Sequence, residues 1–93
     1  MFIVEVMRFE LRLHPITKEA TKIADCEVLH RLSFLTYGCA AHTADELARA
    51  ARDEEPEAPA RVWWRAVVRG DGHTIRGMHY GRTYDALPSE VTR

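Results

Sequence analysis

Lysine is scarce in this chain: two residues, against eleven arginines. That imbalance is typical of a high-GC genome and points to a bacterial or phage origin. Cysteine is also scarce, with Cys26 and Cys39 alone. Two cysteines cannot make a disulfide scaffold, and a four-ligand structural zinc site would need histidines as well. No apolar run approaches the roughly 18 residues of a membrane span. The opening MFIVEVMRFE carries acids where a secretory signal would be apolar. The expectation is a cytoplasmic protein with reduced thiols. No Gly-rich phosphate loop, nucleophile motif or His/carboxylate metal cluster stands out, so no catalytic residue, metal ligand or cofactor is assigned.

The 93 residues suit one small α+β domain spanning 1–93, with a polar tail from about 88 to 93 expected to fray. A chain of this length buries roughly 60–68% of its unfolded surface, enough for one core without staples. The net charge is −1, and that weighs against tight non-specific DNA binding, which needs a strong cationic field. The charge is uneven, however. Residues 45–57 hold six of the fourteen acids, whereas residues 61–82 hold five arginines and one aspartate.

The richest stretch is RVWWRAVVRGDGHTIRGMHYGRTY, residues 61–84, with both tryptophans and two of the three tyrosines. It reads as a β-hairpin. Residues 62–69 are rich in valine and tryptophan, and Gly70-Asp71-Gly72 is the turn, where Gly70 and Gly72 can take positive φ. Alternation puts Val62, Trp64, Ala66 and Val68 on a core face. Trp63, Arg65, Val67 and Arg69 share the other, wetter face. The return strand, residues 73–84, carries Thr74, Arg76, Met78, Tyr80 and Arg82 on one side. Ile75, Gly77, His79 and Gly81 lie on the other, the glycines suggesting a bulge or a close approach.

Upstream, residues 7–14 alternate, with Met7, Phe9, Leu11 and Leu13 on one face. Phe2, Val4 and Val6 have the opposite parity, which a bulge near Val6–Met7 would reconcile. Residues 22–37 suit period two better than a helix: Ala24, Cys26, Val28, His30, Leu32 and Phe34 would share one face. Their pairing with the first strand should set Arg12 opposite Asp25 or Glu27. Gly38 should end that strand. Thr43-Ala44-Asp45-Glu46 is a capping box for a helix over 44–53, with Ala44, Leu47, Ala48, Ala50 and Ala51 facing inward. Residues 54–59, EEPEAP, form a linker. The expected architecture is ββαββ: a four-stranded antiparallel sheet with one helix packed on one face. Its long edges and open aromatic face point to a homodimer, through an edge strand or the Trp63 face.

Several groups have a chemical reading and a plainer one. Cys39 and His42, with His73 or His79, could form part of a zinc site; a loop cysteine and a helix-flanking histidine explain them as well. A Cys26–Cys39 bridge would have to close the length of a strand, far beyond the roughly 6 Å between the Cα atoms of a disulfide. His30 reads as a hydrogen-bonded core histidine rather than a catalyst. Asp25 and Glu27 could serve acid–base chemistry, and more simply pair with Arg12. Arg69-Gly70-Asp71 spells an integrin tripeptide but is explained by a charged turn.

The candidate binding residues are Trp63, Arg65, Arg69, Arg76 and Tyr80. Tryptophan, tyrosine and arginine dominate protein-interface hot spots. The leading expectation is therefore a small non-enzymatic module that docks on a larger host protein or complex. A phage or mobile-element accessory protein that inhibits a nucleic-acid-handling or defence complex would fit. The alternative uses the same residues for single-stranded nucleic acid, with aromatics stacking on bases and guanidinium groups holding phosphates.

Overall fold

The computed structural model describes residues 1–13, 15–17, 20–59 and 61–81. The order is β1 (Phe2–Leu13), β2 (Ala20–Phe34), α1 (Tyr37–Asp53), β3 (Val62–Gly70), β4 (His73–Gly81). The strands form one antiparallel sheet in the order β2-β1-β3-β4, with α1 packed on one face. The ββαββ sandwich expected from the sequence is therefore the fold. The expected continuation of β4 through Arg82 to Tyr84, the end of β1 at His14 and the tail after Pro88 lie outside the described residues.

The helix starts earlier than the capping box suggests. Thr36 is the N-cap, extended at φ −119°, and its hydroxyl accepts from the Cys39 amide at 3.3 Å. Thr43 thus lies inside the helix. Gly38 is in its first turn rather than at a strand end, β2 having already finished at Phe34. The added turns bring Ala40 into line with Ala44 and Ala48, at i, i+4 spacing, and all three are buried. Leu47 and Ala51 flank this stripe and Ala50 is exposed. The helix ends before Pro56, and successive turns bond Glu55 to Arg52 and Ala58 to Glu55 through the backbone.

Under the alanine stripe lie Val4 and Val6 of β1 and Val62, Trp64, Ala66 and Val68 of β3, with Tyr80 of β4. The core face assigned to β3 is thus the helix-covered one. Strand β1 pairs with β3 without interruption from Phe2↔Gly70 to Glu10↔Val62. Its change of apolar parity needs no bulge of its own. Phe2, Val4 and Val6 face the helix; farther along, that same side carries Arg8 and Glu10. Arg8 meets the loop after the helix, its Nε and Nη2 donating to the two Glu55 carboxylate oxygens at 2.8 and 3.1 Å. The apolar side of β1 then becomes the opposite one, at Phe9 and Leu11.

The irregularities sit in β2. Twelve residues of β1 face fifteen of β2, with register shifts that leave Leu29, Ala24 and Thr21 as the extra residues. Below the first shift Arg8 lies opposite Glu27, Glu10 opposite Asp25 and Arg12 opposite Lys22. The expected Arg12–Asp25 or Arg12–Glu27 pairing is therefore displaced to Arg8 and Glu27, because bulges move the register. The Leu29 bulge also splits the face expected to run from Ala24 to Phe34. Cys26 and Val28 pair with Phe9 and Met7, whereas Leu32 and Phe34 pair with Val4 and Phe2 on the helix side.

The β3–β4 turn contains two residues, Asp71 at φ 51° and Gly72 at φ 80°. Two consecutive positive φ angles make a type I′ hairpin turn, favoured by Asp-Gly. Positive φ thus falls on Asp71 and Gly72, not on Gly70.

The close helix–sheet contact leads to a test. Ala44 and Ala48 are almost fully buried, so Ala48→Leu should overpack the interface and cost about 1–3 kcal/mol. Ala50→Leu, on the exposed side, should change stability by less than about 0.5 kcal/mol. Thermal melting of the two variants checks this.

Candidate protein-binding surface

The residues singled out in the sequence divide between the two faces of the sheet. Trp63, Arg65 and Arg69 lie on the face away from the helix, paired with Phe9, Met7 and Ile3 of β1. Arg76 and Tyr80 pair with Val68 and Trp64, on the helix side. No single patch contains all five.

On the face away from the helix, Trp63 is not an exposed platform: 5% of it is accessible. Its indole lies across Gly81, and ring atoms come within 2.8 Å of where a Cβ at that position would be. Phe9 is its direct partner on β1 and is set edge-on to His79 at 6.1 Å. Val67 is fully buried between Glu5 and Gly77. Arg69 donates to Glu5 at 2.7 Å and to the Thr74 hydroxyl at 3.2 Å. Arg65 reaches diagonally over Gly77. The two arginine stems thus run on either side of Val67 as a roof, as amphipathic side chains do over apolar surface. Sequence alternation placed these residues on the correct face, but it could not show that they cover one another.

On the helix side, Asp45 gathers the other two candidates. The Tyr80 hydroxyl donates to Asp45 Oδ1 at 2.6 Å and Arg76 Nη2 donates to Oδ2 at 2.7 Å. The Arg49 guanidinium lies over the Tyr80 ring, 5.7 Å from its centroid. Burial, then the Asp45 hydrogen bond and charge, push the Tyr80 phenol up from its ordinary value. The Asp45 charge raises the Arg76 guanidinium. This cluster fastens α1 to β4: both Asp45 carboxylate oxygens are engaged, while the buried Arg76 Nε makes no hydrogen bond among the described residues.

Exposed apolar residues collect at the end of the sheet nearest the helix N-terminus. Leu35 is 84% accessible, and Met1, Leu32, Tyr37 and Ile75 are also exposed. Phe2 connects them. It pairs with Phe34 and Gly70, and its ring meets Tyr37 edge-on at 5.9 Å. A Cβ on Gly70 would touch both Phe2 and Ile75. Sequence reasoning missed this end because its members come from four separate elements and loops. The one available signal was Leu35, an apolar residue on what alternation through 22–37 makes the polar face.

The remaining sequence candidates stay apart. Cys26 and Cys39 are free and exposed. His42 pairs with Glu46 one helical turn on, at 3.0 Å. Among the described residues no three His, Cys, Asp or Glu side chains converge as metal ligands would. His30 is exposed rather than in the core, because the Leu29 bulge puts Leu29 against the core instead. Within Arg69-Gly70-Asp71 the arginine is held by Glu5 and the aspartate forms the turn. No helix among the described residues is long and apolar enough to cross a membrane. Comparison with protein-family models, curated proteins and solved structures gives no significant match.

Trp63→Ala should cost about 3–5 kcal/mol, as much as Trp64→Ala, because both indoles are inside. Gly81→Ala should destabilise by about 1–3 kcal/mol, since the new methyl would displace a rigid ring. Gly77→Ala meets only ordinary contacts with Arg65 and should be tolerated. Urea titrations of the four variants measure these differences.

Half-buried His79 has its pKa pushed below the ordinary imidazole value by burial. A lowered folded pKa means that the unfolded chain binds the proton more readily. The stabilisation should be complete above the unfolded value of about 6.5 and should fall as pH drops through that value toward the folded one. Denaturation at pH 7.5 and pH 5 should show a loss in the wild type that is smaller in His79→Gln.

Proposed function

We propose that the chain is a small non-enzymatic protein-binding module. The observation behind this reading is the apolar end formed by Leu35, Tyr37, Ile75 and Leu32 around Phe2. Exposed apolar residues gathered at one end of a domain this small are characteristic of protein association. Aromatic residues at its centre suit an interface core.

Nucleic-acid binding is supported less well by the same geometry. The tryptophan that would stack on bases is inside, and stacking requires an accessible ring face. Arg8, Arg69 and Arg76 each engage a carboxylate of this chain, Glu55, Glu5 and Asp45, which lowers the cationic field available to phosphates. Those same pairings support the non-enzymatic reading, because the carboxylates are committed to structural partners.

The partner in this reading is a larger protein or complex. The narrower version, a phage or mobile-element inhibitor of a host nucleic-acid-handling or defence complex, draws on the arginine bias and small size. The homodimer expectation keeps only a reduced basis. The β2 edge is bulged and Trp63 is covered, which leaves the β4 edge among the surfaces first considered for self-pairing.

Affinity capture from a lysate of the source cells tests the reading. A protein partner should survive nuclease treatment and be lost with Leu35→Asp and with Ile75→Asp. Leu35 is so exposed that its replacement should change stability by less than about 0.5 kcal/mol. Capture that disappears with nuclease, or that ignores both substitutions, contradicts the proposal.

A further inference from the structure

Among the described residues the sheet has two outer strands, β2 and β4, and they are treated differently. β2 is interrupted by three extra residues and presents Asp25, Glu27 and Arg31. Bulges and charges of this kind discourage another strand from pairing. β4 has one shift, at Ile75; from Arg76 to Gly81 it matches β3 residue for residue. Its single charged residue, Arg76, is held by Asp45, and the stretch Gly77-Met78-His79 carries no carboxylate or lysine. This edge lacks the devices that protect β2.

Arg65 lies over β4. Its Nη2 and Nε lie 3.5 and 3.8 Å from where a Cβ on Gly77 would sit. Gly77 leaves room for the guanidinium; a lone methyl there would meet it only at ordinary contact distance, whereas a branched side chain would crowd it. Its Nε is buried and has no hydrogen-bond partner. No carboxylate among the described residues forms an ion pair with it, in contrast with Arg8, Arg61, Arg69 and Arg76. Adjacent strands run about 4.8 Å apart. A strand added beside β4 would therefore set the residue opposite Gly77 on the same face, next to this guanidinium. The group that satisfies a forked, unpaired guanidinium is a carboxylate.

We propose that β4 is a strand-addition site for an extended segment of a partner protein, with an Asp or Glu opposite Gly77 that pairs with Arg65. Main-chain hydrogen bonds supply affinity in this mode, and alternate side chains supply selectivity. The inference rests on the protein-binding reading and deepens it: a strand along β4 runs past Ile75 and so onto the apolar end.

The probes are two short peptides of alternating Thr and Val that differ by Glu or Gln at the central position. They are titrated into the ¹⁵N-labelled full chain. The Glu peptide should shift and protect the amides from Arg76 to Gly81, leaving 25–33 unchanged. It should bind about tenfold more tightly than the Gln peptide, as a hydrogen bond to a charged group implies. The preference should vanish in Arg65→Gln. Gly77→Val, which would displace the guanidinium while keeping it, should abolish the preference too and serves if Arg65→Gln melts early. Unperturbed β4 amides, or equal affinity for the two peptides, would overturn the inference. Loss of natural-partner capture in Leu35→Asp with β4 silent to both peptides removes strand addition and leaves the protein-binding reading standing. Nuclease-sensitive capture removes that reading itself.

Discussion

The structure depends on how closely α1 can approach the sheet. Ala40, Ala44 and Ala48 form a stripe with almost no side-chain depth, and the helix backbone settles directly over Val4, Val6, Trp64 and Val68. The sheet supplies the bulk and the helix supplies the lid. Trp64 contributes the largest fully buried side chain, and its burial requires that nothing large project from above. Each alanine removes little apolar area from water, so the stabilisation comes from the valines and tryptophan that the helix covers. Where the helix stops, the covered side of β1 stops being apolar, and Arg8 and Glu55 take over.

That boundary explains much of what could and could not be read from the chain. The period-two runs of β1, β2 and β3 identified the strands, and the alternation in β3 correctly separated Val62, Trp64, Ala66 and Val68 from Trp63, Arg65 and Arg69. The two parities of β1 were visible as well, but they come from a helix that spans only part of the strand, a tertiary cause absent from local pattern. The bulges of β2 were only partly legible: Leu29 interrupts the polar face of Asp25, Glu27, Arg31 and Ser33, but an interruption does not reveal an inserted residue, and Ala24 and Thr21 differ little in character from their neighbours. The helix start was missed because Thr43-Ala44-Asp45-Glu46 resembles a cap more closely than Thr36-Tyr37-Gly38-Cys39 does. Of the candidate site, the strand positions were legible; the separation of Arg76 and Tyr80 from the rest follows from cross-strand pairing, and the burial of Trp63 depends on Gly81 and Phe9.

The arginines behave as fasteners more than as a cationic surface. Arg8 ties the loop after the helix to β1, Arg69 ties β3 to Glu5, and Arg76 ties β4 to Asp45. Each links segments far apart in sequence. A partly buried bidentate pair fixes geometry better than it adds net stability, because desolvation offsets much of the attraction. Arg65 differs by having the glycine beneath it and, among the described residues, no acid paired with it.

The central position of β1 also sets an order of events during synthesis. β1 is translated before the other strands, yet one of its two neighbours, β3, is translated after the helix. Pairing Phe2 with Gly70 must wait until β3 has left the ribosome. Until then the β1–β2 hairpin can form by local contacts, but it has one exposed flank and two incompletely covered apolar faces. Contacts so distant along the chain slow folding, and an unpaired strand edge in that interval is open to misassociation. The bulges that blunt β2 in the finished domain protect the nascent hairpin on its other flank, so the vulnerable edge is the inner one that β3 later closes.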